Sequence, residues 1–202
     1  MSELTVLQAI RLKGRVGPTD IAATLNHDPA DIAATLAELV DSGLLLDGKT
    51  TLRITADGRE RLAALLTEER SRVRQDVMAI SYAEFLSVNR DFKTLVTDWQ
   101  IKDGQPNTHD DADYDGAVLA RLDDVHERVL PIIADVARQL PRLGSYTDKL
   151  AVALEKVKGG DGVWLTRPII DSYHTVWFEL HEELITASGL TREEEANAGH
   201  AQ

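Results

Sequence analysis

A mainly α-helical chain is predicted: a first part of short helices and one two-stranded hairpin, then an all-helical part. Three observations carry that prediction. Apolar residues recur at helical spacing over most of the 202 residues. An Asp-Gly turn, Asp47-Gly48, lies between two short apolar runs, which is a strong hairpin cue. Helix-starting and helix-stopping residues cut the first third into short pieces.

Leu4, Leu7 and Ile10 mark a first helix that ends at Lys13-Gly14. Gly17-Pro18 restarts the chain, and Ile21 and Leu25 mark a short second helix. A third opens on Asp28 as cap, Pro29 in the first helical position and Asp31 where the helix dipole favours an anion. Its buried stripe is Ile32, Leu36, Leu39 and Val40, and Ser42-Gly43 stops it. Leu44–Leu46 and Thr51–Ile54 read as strands, turning at Asp47–Thr50. A long helix then opens at Thr55-Ala56-Asp57-Gly58, with Leu62, Leu65 and Leu66 on one face.

Three helices, a hairpin and a further helix, in that order, make the winged helix-turn-helix plan. The run LAELVDSGLLLDGKTTLRITADGRERLAALL resembles the third helix, wing and following helix of MarR-type transcriptional regulators, at Leu39, Gly43, Leu44, Ile54, Thr55, Gly58 and Leu62. The likeness covers about residues 4–70 and departs from that family in a very short wing without an Asp-x-Arg pattern. It implies a DNA-binding transcriptional regulator that acts as a dimer on double-stranded DNA.

The rest reads as helix. One helix is expected to run from the fourth through Arg70–Arg74 to Phe85, with a break at Ser87-Val88-Asn89 and a resumption from Arg90 to Gln100. Lys102–Asp113 reads as a polar loop. An amphipathic helix follows over Asp115–Gln139, bent at Pro131, then one over Leu143–Val157 and a last one over Pro168–Ser188. The expected domains are 1–70, a winged helix-turn-helix; 71–190, an all-α dimerisation and effector domain; and 191–202, a flexible acidic tail. Dimerisation is expected through the helix from Asp115 and the helix after Pro168, which carry more apolar positions than one buried stripe needs.

Composition narrows the function. The chain has no cysteine, so disulfides and thiolate-bound metals are excluded, and no stretch is long and apolar enough to span a bilayer. A cytoplasmic protein is expected. Net charge is -12, with eight Lys/Arg against eleven Asp/Glu in residues 1–70 and fourteen against twenty-three beyond. DNA must therefore be held by local clusters. Arg11, Lys13, Arg15, Lys49 and Arg53 are candidates for the phosphates, and Asn26, His27 and Thr35 for the bases. The exposed face of the third helix should carry Asp31, Ala34, Thr35 and Glu38, which lacks the usual purine readers. That favours the alternative, a winged-helix protein that regulates or scaffolds a protein partner.

In the second part, His174, Trp177, Phe178 and His181 share a helix face. With Arg167 and Tyr173 at its rim, that face suits a pocket for a small anionic effector or an aromatic core. The architecture is similar to that of GntR-type regulators, but their Asp-x-x-x-His metal element is missing, since Asp171 precedes His174 by three positions. Asp111-x-Asp113-x-Asp115-Gly116 begins like a calcium loop, yet Leu122 stands where the bidentate acid is needed, so helix capping is expected. No metal, cofactor or catalytic residue is expected, and no phosphate loop or nucleophile elbow is present.

Overall fold

The computed structural model describes residues 1–191 and Glu195, so most of the expected acidic tail, 191–202, lies outside the described residues. The described chain is mainly helical and carries small two-stranded antiparallel pairs. It divides into two units, Met1–Arg72 and Val73–Gln202.

In the first unit, α1 (Glu3–Lys13), α2 (Pro18–Thr24) and α3 (Pro29–Asp41) precede β1 (Leu45–Asp47), β2 (Leu52–Ile54) and α4 (Ala56–Ser71). Asp28 caps α3 by accepting from the Ala30 amide at 2.9 Å, with Pro29 behind it as read. Asn26 ends α2 in the left-handed region, φ 54°. From there its amide reaches Ala23 and that of His27 reaches Ala22, closing the orphan carbonyls. Ile10, Ile21, Ile32, Leu36, Leu52 and Leu62 meet in one core.

The expected hairpin is present, with Leu45 opposite Ile54 and Asp47 opposite Leu52. Its turn differs from a two-residue Asp-Gly turn. Lys49, not Gly48, takes the positive φ, 74°. The Asp47 carboxylate accepts from the Lys49 amide at 2.9 Å, and the Gly48 amide donates to the Thr51 carbonyl at 2.9 Å. A further pairing has no periodic signature: Val16 bridges Leu52 through hydrogen bonds of 3.3 and 2.8 Å.

The start of α4 explains the Thr-x-x-Gly element. Thr55 Oγ1 accepts from the Gly58 amide at 2.9 Å and donates to the Gly43 carbonyl at 2.8 Å, tying helix to hairpin. This leaves no room at Gly58, where an added Cβ would lie 2.1 Å from the Leu44 carbonyl oxygen. Gly58→Ala should therefore destabilise the first unit by about 1–3 kcal/mol, the usual penalty of overpacking, measured by urea denaturation. A loss near zero would show that α4 can shift away from Leu44.

The second unit holds α5 (Gln75–Gln100), α6 (Ala112–Ala137), α7 (Ser145–Lys158), α8 (Val163–Thr166) and α9 (Tyr173–Ala187), with a short 3-10 turn at Pro141–Gly144. Two expectations are corrected. The helix breaks at Arg72–Arg74, where Arg74 is extended, and α5 runs unbroken through Ser87-Val88-Asn89. Val88 and Asn89 face the core, and the Asn89 amide oxygen accepts from the Trp177 indole at 2.9 Å. Tertiary burial thus overrides a locally poor helix sequence. Within the expected polar loop, β3 (Ile101–Lys102) pairs with β4 (Gln105–Pro106). Asp103 and Gly104 both take positive φ, 52° and 76°, as a tight hairpin requires.

The acidic run beyond that hairpin does cap a helix. Asp111 is the N-cap of α6, accepting from the Tyr114 amide at 3.0 Å, and it also pairs with Lys102 at 2.6 Å. The Asp115 carboxylate takes hydrogen bonds from Asn107 and His109. α6 then continues through Pro131. α9 lies at the centre of the unit: none of its residues is exposed. The apolar excess read as a dimer face on α6 and α9 is therefore consumed by this chain's own core. Among the described residues, no helix is long and apolar enough to cross a membrane.

Candidate nucleic-acid interface

The hairpin of the first unit gathers cations. Along β2, Leu52 and Ile54 are buried and Arg53 is exposed; on the bridging segment, Val16 is buried and Arg15 is exposed. Because Val16 is in register with Leu52, Arg15 and Arg53 take neighbouring positions on the solvent side. Lys49 is exposed in the turn. Among the described residues, none of these three side chains has a carboxylate partner. Several other cations differ: Arg61 holds Glu3, Arg121 holds Asp98, Arg128 holds Asp91 and Lys158 holds Asp123. Like charges side by side on a sheet are destabilising, so this cluster costs the fold something that an anion would offset.

The remaining expected contacts are placed less favourably. Arg11 is half-buried and its Nε donates to Gln8 at 3.0 Å, while Lys13 sits half-buried in the last turn of α1, where the dipole favours a cation. Asn26 and His27 are exposed in the turn before α3. Thr35 is half-buried, so it is only partly available to a base edge. The open face of α3 presents Asp31, Ala34 and Glu38, as read from spacing. Arg15 and Arg53 are each legible in the sequence as surface cations, but their juxtaposition depends on a single-residue bridge.

The second-unit residues read as a pocket pack as core instead. Tyr173 and Trp177 are fully buried and His181 is 2% exposed. Trp177 stacks on Phe85 at 5.1 Å and lies 4.5 Å from Phe92, with Tyr173 beside it at 6.1 Å. His174 is half-buried against Phe92, and Arg167 is exposed on the loop before α9. His174 and His181 lie against Phe92 and Phe85 of α5, which fill the space beside them. The case for an anionic effector goes with the cavity.

Several polar side chains in this core are partnered. The Tyr82 hydroxyl donates to Glu195, so the His181 Nε2–H donates to the Tyr82 oxygen at 3.2 Å. Burial, with Glu195 close by, pushes the Tyr82 hydroxyl well above the usual phenol range. Arg142, partly buried, meets the buried Glu183 at 2.7 Å. His126 Nδ1 and the Tyr173 hydroxyl share a hydrogen bond of 3.2 Å, and burial holds the imidazole below the ordinary histidine range.

A pH dependence follows with a definite sign. Between the depressed folded value and the ordinary value of about 6.5, the unfolded chain binds the proton that the folded chain refuses. Stability contributed by neutral His126 is thus full above that ordinary value and lost as pH falls below it. Thermal unfolding should show this acid loss, and His126→Asn should flatten it. An unchanged pH profile in the variant would remove His126 as its source.

Comparison with known proteins finds no family model that matches the chain, and no curated protein or solved structure that matches it.

Proposed function

We propose that residues 1–72 are a winged helix-turn-helix module of a cytoplasmic transcriptional regulator that binds double-stranded DNA as a dimer. In this reading α2 and α3 form the helix-turn-helix and β1–β2 the wing, with Val16 adding a short third strand. The observation that carries it is the set of exposed cations Arg15, Lys49 and Arg53, without carboxylate partners among the described residues, on one hairpin and the segment bridged to it, in a chain whose net charge is -12. A surface that concentrates unpaired cations within an acidic body suits a polyanion held by its phosphates. The wing is the main contact and α3 a weak reader, since its open face offers no Arg, Lys, Asn or Gln.

Fluorescence anisotropy with duplexes of unrelated sequence tests this at low and moderate salt. The expected result is binding that differs little between sequences and falls steeply as salt rises. Absence of binding at low salt would overturn it. The acidic face of α3, Asp31 and Glu38, favours a second reading, a winged-helix module that docks a protein partner with a basic surface. Under that reading, duplex DNA is ignored and charge reversal on α3 abolishes the partner's binding.

A further inference from the structure

One face of α5 is built into the core through Phe85, Phe92, Leu95 and Trp99. On the opposite face, Ile80, Ala83, Ser87, Arg90, Thr94 and Thr97 alternate at three- and four-residue spacing, followed by Ile101, which caps the helix in an extended conformation and opens β3; all are exposed. On the helix that is the 3.5-residue repeat of a helix–helix seam, about 26 Å long at 1.5 Å per residue. Its ends are apolar, with Ile80 62% and Ile101 40% exposed. Its middle is small, and a cleft of about 550 Å³ follows it past Ala83, Ser87, Arg90 and Thr94. Lys93 and Asp98 flank the cleft, and Arg90, in the middle of the repeat, has no carboxylate partner among the described residues. A solvated helix face looks different. On α6 the outward Arg121, Arg128 and Arg138 are each paired, to Asp98, Asp91 and Asp135.

We propose that this seam is the homodimer interface, with α5 of one copy lying antiparallel on α5 of a second. The face is self-complementary about a two-fold axis between Arg90 and Asp91. That axis sets Ile80 against Ile101 of the second copy and Ser87 against Thr94 of the second copy, each pair occurring twice. It also brings Arg90 beside Asp91 of the second copy, whose carboxylate is half-exposed and engaged by Arg128 at 2.8 Å. Parallel pairing would set Arg90 against Arg90, which like-charge repulsion disfavours. Small residues at Ala83 and Ser87 let the two backbones approach closely. This deepens the dimer of the proposed function but does not depend on DNA binding, so it is tested without DNA.

The chain has no cysteine, which makes cross-linking specific. In the full chain, Ser87→Cys with Thr94→Cys should give a covalent dimer on mild oxidation. Either substitution alone should not, and two cysteines seven positions apart on one helix are too distant to bridge each other. Sedimentation of the wild type should give a dimer at micromolar concentration. The same axis sets position 83 against Asp98 of the second copy, so Ala83→Glu should weaken the dimer at least about a hundredfold through like-charge repulsion, with helix content unchanged by circular dichroism. A wild-type monomer, a dimer indifferent to Ala83→Glu, or cross-linking by Ser87→Cys alone would each overturn the proposal.

Discussion

Replacing Arg15, Lys49 and Arg53 together by alanine should reduce affinity for any duplex DNA by about two to three orders of magnitude near 0.1 M salt. The magnitude comes from counterion release. Each phosphate contact adds about 0.9 to the slope of log affinity against log salt, so three contacts remove about 2.7. The loss should be nearly uniform across sequences, because these residues touch backbone and not base edges. The fold should be untouched, since all three side chains are exposed and bond no other described side chain. Anisotropy titrations over a salt series, with circular dichroism as the folding control, measure both quantities. A triple variant that binds as wild type, with the same salt slope, would remove the hairpin from the interface. Glu38→Gln makes a finer check: if α3 lies near the phosphates, losing its exposed carboxylate should strengthen binding.

The second large effect concerns the core that replaced the expected pocket. Trp177→Ala should destabilise the second unit by about 3–5 kcal/mol, because it empties a fully buried indole site whose neighbours Phe85, Phe92 and Tyr173 are themselves packed. Trp177→Phe keeps a ring there but takes the N–H donor from the Asn89 amide oxygen, and should cost less, about 1–3 kcal/mol. Urea denaturation followed by far-ultraviolet circular dichroism measures both. If Trp177→Ala is tolerated to within about 1 kcal/mol, the ring lines space that ligand or water can share, and the packed-core description fails.

Much of the fold could be read in the residues. Asp28-Pro29 located the start of α3, and Leu45, Leu52 and Leu62 fell on the buried side, because caps and periodicity are local properties of the chain. The misreadings share a different physical origin. Ser87-Val88-Asn89 reads as a helix break, yet Asn89 is buried in α5 by a bond to a residue far along the chain. Asp103-Gly104 carries the same turn cue as Asp47-Gly48, but apolar alternation beside it is too short to read as strands. The excess apolar positions of α9 look like a second interface until the surrounding helices are placed around it. Arg15 and Arg53 were each visible as surface cations, whereas their proximity rests on one bridge at Val16.

The most direct test of the proposed interface is an amide chemical-shift map of the full chain titrated with a short duplex at low salt. The wing reading predicts that the perturbed amides cluster at residues 13–17 and 47–54, with smaller changes at 26–29 and along the open side of α3. It also predicts that added salt reverses them. Shifts confined to the second unit, or no shifts at low salt, would contradict DNA binding through the hairpin.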